Sequence, residues 1–539
     1  MEWRRRSRIL LIASVLSLVV AACSSDDGGG EEEGETGPAT GDIEEVTWAL
    51  PDLGDVLLVP HDWTTYAGAI MSLVEEGILA FGDDLSLQPA TAESWEIVDP
   101  VTYVFTLRDG VTFHDGSPLT PEDVVFTIEW NMNPDNASQL AAFFGSVESV
   151  EATGDNQVTF ILSKPDAQFA YSLAHMAGFI MNKAQLESAG ENFGTPDVLP
   201  LGTGPYELVE FVPDDHITLD RYEGYWGEQG PAKRIVIRSI PDSQTRLLAM
   251  QNGDIDGTFD VPISEVDQWE GLDGVTVITA PSNGVYQLVL DEETPPFDDI
   301  HVRKAIAYSI DRDGIVQAVL NGKGAPALAI NPPGIWGGVL DEASVNAFYE
   351  TIPTYAFDLD AAAAELAQSS VPDGFEFSVN VPNTDPVAIN TFLAISETLT
   401  QIGITMNVEQ VDPGEWLDVY FGHEDLGAQF MAYFPDYADP ANYPYLFYYG
   451  ANAVANGLNG SNYRNPEVDA LIEQALQESD PAVRADALQQ VIMQAAEDVA
   501  TVPIHWPDSA MAISSDLRLD GYTAFWYNIP WAIRGFGPA

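Results

Sequence analysis

Two hydrophobic rhythms alternate along the chain from about Val46 onward, and this alternation limits the possible folds more than any other feature. In "TYVFTLRDGVTFHDG" (residues 102–116), Tyr103, Phe105 and Leu107 alternate with polar neighbours, while Asp109-Gly110 and Asp115-Gly116 supply turns, as a β-hairpin requires. The period then changes. In "PLTPEDVVFTIEWNM", Thr120 can cap a helix, Pro121 suits its first position, and Glu122 and Asp123 suit the positive end of its dipole. Val124 and Ile128 follow at helical spacing. "DDIHVRKAIAYSIDR" places Val302, Ile306 and Ile310 on one face and predicts an amphipathic helix. "NPEVDALIEQALQES" and "DPAVRADALQQVIMQAAEDV" each open with a capping Asn or Asp followed by Pro. They predict two successive helices, the first with Val468, Leu471, Ile472 and Ala475 inward and the second with Val483, Leu488, Val491 and Ile492. Strand-like segments "GPYELVEF", "RIVIRSI", "GVYQLVL" and "TMNVEQV" lie between the helices, so the fold class is α/β. About 490 residues of such material call for two or more domains. No internal repeat of fixed period marks a solenoid or propeller.

The amino terminus has a different character. Arg4, Arg5, Arg6 and Arg8 precede about fourteen apolar or small residues that end at Val20, Ala21, Ala22 and Cys23. That run is too short to span a bilayer comfortably and reads as an export signal, residues 1–22, with its positive end left in the cytoplasm. Cys23 is the only cysteine of 539 residues, so no internal disulfide can form. "VAAC" resembles the bacterial lipoprotein signal, which implies that Cys23 is lipidated and anchors the protein to the outer face of the cytoplasmic membrane. Residues 23–45, rich in Gly, Ser and acid, lack apolar periodicity and are expected to form a flexible tether. Beyond them no stretch approaches eighteen apolar residues, so the body is expected to be soluble.

Charge narrows the partners. Setting aside the four arginines and Glu2 of residues 1–22, the rest carries 16 basic side chains against 83 acidic ones, a formal charge of −67. Only five lysines occur in the whole chain, which excludes a nucleic-acid footprint because phosphate binding needs clustered cations. The acids are dispersed among 46% hydrophobic residues, so core material is present and disorder is not the reading. Dense surface acid keeps a protein soluble where salt screens charge, and its self-repulsion weakens the fold in dilute buffer. The unfolding midpoint is therefore expected to rise from low to molar salt, and a midpoint that falls would refute a saline setting.

Searching for chemistry yields little. The chain has no phosphate loop ending in Gly-Lys-Ser/Thr, no G-x-S-x-G elbow and no H-E-x-x-H helix. Seven scattered histidines, with "GHED" at 422–425 read as an exposed loop, argue for no metal, and no cofactor is expected. Among 84 acids some pair can always be nominated as a hydrolytic dyad, so such a nomination carries no information. One stretch stands out. "YFPDYADPANYPYLFYYG" (433–450) holds eight aromatic side chains, two acids and three prolines. Pro435, Pro440 and Pro444 argue against a helix or internal strand and predict an irregular, aromatic-lined loop.

The run "WEIVDPVTYVFTLRDGVTFHDGSPLTPEDVVFTIEW" resembles the signature segment of the family 5 extracellular solute-binding proteins, the oligopeptide-, dipeptide- and nickel-binding components of ABC importers. "PLGTGPYELVEF", "YEGYWG", "RLLAMQNGDIDG", "PPFDDIHVRKAIAYSIDRDGIV", "NYRNPEVDALIEQAL" and "EDVATVPIHW" follow in the family's order, so the resemblance covers the chain from about residue 46 to its end. It implies a hinge-connected, two-lobed periplasmic-binding-protein-like fold of type II, in the large class with an extra subdomain. Lobe I would comprise 46–66, 190–285 and 502–539, with an inserted subdomain at 67–189. Lobe II would be 286–501, with crossings near Tyr286 to Asp291 and Val502 to Trp506. A monomer serving permease and ATPase subunits, and no enzyme, is implied. The signature turns are read as architecture: glycines at 110, 116, 202 and 204 supply unusual dihedrals, and Trp95, Tyr103 and Phe113 pack.

In peptide-binding members an acid in the pattern aromatic-x-x-Asp-Tyr-x-acid-Pro pairs with the ligand's α-ammonium. Tyr433, Asp436, Tyr437, Asp439 and Pro440 fall on that pattern. The resemblance thus implies Asp436 as the anchor, Tyr433 and Tyr437 as walls, and Asp439 as a residue ordering the turn. Trp416 lies near where relatives place a cleft tryptophan, and Tyr286 lies on a crossing strand that touches ligand main chain. Two departures, Asp291 where many relatives have asparagine and Tyr433 where they have tryptophan, loosen the peptide assignment. An oligosaccharide or another small solute in the same cleft is the alternative, and a secreted hydrolase is a third.

Overall fold

The computed structural model describes residues 41–539 apart from 83, 424, 425 and 437. The leader at 1–22, Cys23, most of the tether, Tyr437 and the two acids of "GHED" therefore lie outside the described residues. A twelve-stranded sheet runs through both lobes, and strand Val502–Ser514 is its spine. The first part of this strand pairs with Val285–Leu290, and Asp508 to Ser514 pair with strand Val275–Pro281. Lobe I continues the sheet through Gly257–Thr258, Val46–Leu50, Arg234–Ser239, His216–Arg221 and Tyr206–Val212. Lobe II continues it through Ala428–Tyr433, Glu376–Pro382 and Thr405–Val411.

The chain passes between the lobes at Ser282–Gly284 and again at Pro507. Ser282 ties the two passages together, donating to the Pro507 carbonyl from its backbone N–H at 3.2 Å and from Oγ at 2.6 Å. Asn283 turns the first passage with a left-handed φ of 55°. These points lie just outside the expected crossings. Tyr286 already pairs with Ala432 and His505, so it belongs to the lobe II half of the sheet.

Local signals account for the inserted subdomain. Strands Ala92–Asp99, Thr102–Leu107, Gln157–Leu162 and Val147–Gly154 form an antiparallel sheet that buries Tyr103, Phe105 and Leu107. Helix Pro121–Met132 begins at Thr120 with a reciprocal Thr120/Asp123 capping box and buries Val124 and Ile128. Gly116 has a φ of 82°, as the turn demands. Gly202 does not share that reason: a Cβ there would lie 1.7 Å from the Val74 carbonyl oxygen, so the position requires space rather than an unusual dihedral.

Three further expectations are corrected. The segment 298–312 is not one helix: Ile300–Tyr308 stops and Arg312–Val319 starts afresh behind the Asp311 cap, although Val302, Ile306 and Ile310 are all buried. Val483 is 40% exposed, because the inward row of helix Pro481–Asp498 is Arg484, Leu488, Val491 and Ala495. The aromatic stretch is not irregular throughout. Tyr433 ends a strand, and Asn442–Tyr448 is a helix that carries Pro444 in its first turn, where no backbone N–H is needed. Tyr443, Phe447 and Tyr448 pack into the lobe II core.

Burial also holds protons on two acids of lobe I. Glu75 is pushed up to about 8 by desolvation. Glu76 is pushed up to about 7 by desolvation, against bonds from Trp226, Tyr225 and Thr203 at 2.9, 2.9 and 3.0 Å. Folded values above the unfolded ones mean that the native state binds more protons, so stability falls as pH rises from about 4.5 to 8. A higher melting temperature at pH 5 than at pH 8 is expected at fixed salt, and Glu75→Gln should flatten that slope.

Candidate functional site

Between the lobes lies a cavity of about 370 Å³. Trp63 to Tyr66, His175, Met176, Asp260 and Phe525 to Tyr527 supply the lobe I side. Phe434, Pro435 and Asp436 supply the lobe II side, with Ser282 at the hinge. The lobes touch around it: Ala167 N–H donates to the Leu476 carbonyl at 2.8 Å, Gln168 Nε2 to Asp439 Oδ1 at 3.0 Å, and Tyr527 Oη to the Pro435 carbonyl at 3.4 Å. A smaller cavity of about 200 Å³ inside lobe II is mostly apolar, and the Arg312 guanidinium on its wall is taken up by the carbonyls of Pro503, Ala307 and Tyr355.

Asp436 is the main polar feature of the lobe II wall. Strand Ala428–Tyr433 delivers the chain to the cleft, Pro435 turns it, and the carboxyl of Asp436 comes to rest half-buried. Its one bond among the described residues is long, from Tyr433 Oη at 3.3 Å, and the same hydroxyl lies closer to Asn442 Oδ1, at 2.7 Å. Burial pushes Asp436 up to about 6, with the Tyr433 hydroxyl pulling the other way. A desolvated carboxylate with so little compensation is a place where a ligand cation is favoured.

Asp439, three residues on, has a different environment. It is fully buried and forms a two-pronged ion pair with Arg484, Nη1 to Oδ2 and Nη2 to Oδ1 both at 2.6 Å. It also accepts from Ala441 N–H at 2.9 Å, which orders the turn after Pro440.

Of the other sequence candidates, Tyr433, Trp416 and Tyr286 are described and do not line the cavity, and Tyr437 lies outside the described residues. Tyr433 supports Asp436 from behind, edge-on to Tyr443 and Phe447. Trp416, on helix Pro413–Gly422, donates from Nε1 to the Phe430 carbonyl at 3.2 Å and packs on the Phe430 ring. Tyr286 stacks on His505 with centroids 4.7 Å apart and donates to Asp385 Oδ2 at 3.1 Å, deeper in lobe II. Asp291 is buried and ties a turn together, accepting from Glu293 N–H and Asn462 Nδ2.

Sequence reasoning missed the opposite wall. Tyr66 donates to Asp260 Oδ2 at 2.7 Å, and His175 is fully buried. Their segments, "WTTYAG", "SLAHMAGFI" and "FDVP", carry no chemical spacing and meet only through the fold. The one available signal was aromatic density in "FWYNIPW" near the end of the chain, where Trp526 and Tyr527 face the cleft.

Comparisons with known proteins agree with this architecture. The model of the family described as bacterial extracellular solute-binding proteins, family 5 Middle, matches residues 86–455. Heme-binding protein A of Haemophilus influenzae is 28% identical over 78% of this chain and 78% of its own length. A probable D,D-dipeptide-binding periplasmic protein of Escherichia coli is 28% identical over 85% of this chain and 86% of its own. Among solved structures, an ABC transporter-associated periplasmic binding protein from Helicobacter pylori, in complex with the peptide STSA, superposes with a TM-score of 0.72. It is 25% identical and covers 92% of this chain and 98% of its own.

Proposed function

Because the chain belongs to the bacterial extracellular solute-binding proteins of family 5, whose members bind solutes and are not enzymes, we propose that it is the peptide receptor of an ABC importer. The inter-lobe cavity would hold the ligand, with its α-ammonium against Asp436. The observation that carries this reading is the half-buried Asp436 carboxyl on the cavity wall, held among the described residues by a single long bond from Tyr433. The peptide-binding relative and the peptide-bound neighbour support the ligand class. Hinge closure about Ser282–Gly284 and Pro507 would trap the ligand and present a closed receptor to the permease and ATPase subunits. Tyr433 would then act as a support for the anchor, and the ordinary roles of Trp416 and Tyr286 would lie in shaping lobe II. Tyr437 is retained as a candidate wall.

Lipidation at Cys23 would keep the receptor at the cell surface, and Cys23→Ser should release it into the medium. Incubating the purified protein with a mixed peptide pool and identifying what co-purifies by mass spectrometry tests the ligand class. Intact peptides bound are expected. Retained sugars in place of peptides would overturn the reading.

A further inference from the structure

The polar groups on the cavity wall are unbalanced in a way that bears on which peptides fit. Asp436 faces the cavity from lobe II and Asp260 from lobe I, the latter held by Tyr66. Among the described residues lining the cavity there is no lysine or arginine. His175 also lines it and is 0% exposed. Its Nδ1 accepts from the Ala177 N–H at 3.1 Å, which assigns the ring proton to Nε2. That Nε2 has no hydrogen-bond partner among the described residues. The ring is held in place, stacked on Phe143 with centroids 4.8 Å apart and planes 15° apart, with Trp63 edge-on at 6.5 Å.

Resting on the peptide reading above, we propose that His175 Nε2–H donates to a ligand carbonyl oxygen, and that the cleft selects peptides by their amine and main chain while leaving the terminal carboxylate outside the cavity. Three physical points support this. A buried N–H without an acceptor is costly, so a fixed donor beside a ligand cavity gains from an incoming carbonyl. Desolvation also keeps the His175 ring far below its usual range, at about 3, so the ring stays a neutral donor and offers no charge to a carboxylate. A carboxylate brought into this cavity would meet the Asp436 carboxyl with no lysine or arginine beside it among the described lining residues, and like charges so placed repel. Asp260 adds less to this, because Arg246 lies behind it and donates to its backbone carbonyl at 3.1 Å.

A random tripeptide library prepared in three forms tests this: free at both ends, amidated at the carboxyl terminus, and acetylated at the amino terminus. Each form is captured on the full chain and quantified by mass spectrometry. The amidated form should be retained at least as well as the free acid, and the acetylated form at least about tenfold less. The best-retained amide is then titrated against two variants. His175→Phe keeps a ring against Phe143 without the donor and should weaken binding about tenfold, while His175→Gln restores an N–H and should stay within about threefold. Tenfold tighter binding of the free acid than of the amide would overturn the proposal and leave the peptide reading intact. Wild-type affinity in a folded His175→Phe variant would do the same. If that variant does not fold, the acid-versus-amide comparison on the natural chain decides alone. Failure of every form to bind would overturn the peptide reading and this inference with it.

Discussion

Replacing Asp436 by alanine is expected to weaken binding of an amine-bearing peptide by on the order of 2 to 5 kcal/mol, about 30-fold to several thousand-fold. The size follows from desolvation. An ammonium drawn into the cavity gives up its water, and Asp436 is the charge on the lobe II wall able to replace it. The pH dependence follows from the direction of the shift. With its folded value raised to about 6, Asp436 is neutralised as pH falls through 6, and affinity should drop about tenfold for each further pH unit. Asp436→Asn should bind weakly at every pH. The same shift acts on the ligand-free protein with the opposite consequence. A carboxylate costlier to ionise in the fold than in the unfolded chain removes stability above the unfolded value near 3.8, so Asp436→Asn should be more stable than the natural protein at pH 7, by up to about 3 kcal/mol. Calorimetric titration across pH 4.5 to 8, paired with melting curves of the ligand-free proteins, measures both. A flat pH profile in the natural protein with undiminished affinity in the alanine variant would remove Asp436 from the site.

Features whose causes lie within a few residues were the legible ones. The Thr120/Asp123 box, the Asn465-Pro466 and Asp480-Pro481 starts and the alternation of Tyr103, Phe105 and Leu107 are short-range patterns, and the folded chain uses each of them. Errors arose where a local rule met a long-range constraint. Val483 has the apolar character of an inward residue, but Arg484 takes that position because Asp439, 45 residues away, offers a counter-charge. Pro444 reads as a helix breaker only until its place in the first turn is known.

The candidate site divides in the same way. Its lobe II wall comes from one continuous stretch, Phe434 to Asp436, of which the family pattern singled out Asp436 but named Tyr433 rather than Phe434 as the neighbouring wall. Its lobe I wall comes from residues near 63, 175, 260 and 526, which share no spacing. None of these segments carries a chemical motif, and His175 is one of seven histidines scattered singly along the chain. What distinguishes it is a bond at Nδ1 and the absence of one at Nε2, and neither is written in its sequence neighbours.

The second large effect is structural and concerns the other acid of the aromatic stretch. Asp439 is 0% and Arg484 4% exposed, and the pair is closed by two contacts of 2.6 Å. Arg484 Nε also donates to the Ala475 carbonyl at 2.8 Å, so one guanidinium joins the turn after Pro440 to both terminal helices of lobe II. Removing either partner leaves a buried charge without compensation, and Asp439→Ala and Arg484→Ala should each cost about 3 to 5 kcal/mol in denaturant unfolding. Removing both takes away the stranded charge as well as the bond, so the double variant should fall well short of the sum of the singles. That non-additivity separates an ion pair from two independent packing losses. Gln168 adds a functional consequence, since its bond to Asp439 comes from the inserted subdomain and crosses between the lobes. A displaced Asp439 would therefore disturb the closed arrangement as well as the lobe II core, and ligand affinity should fall in Arg484→Ala even where the variant remains folded. Additive single costs, or losses below about 1 kcal/mol, would show that the pair is not the tie between these elements.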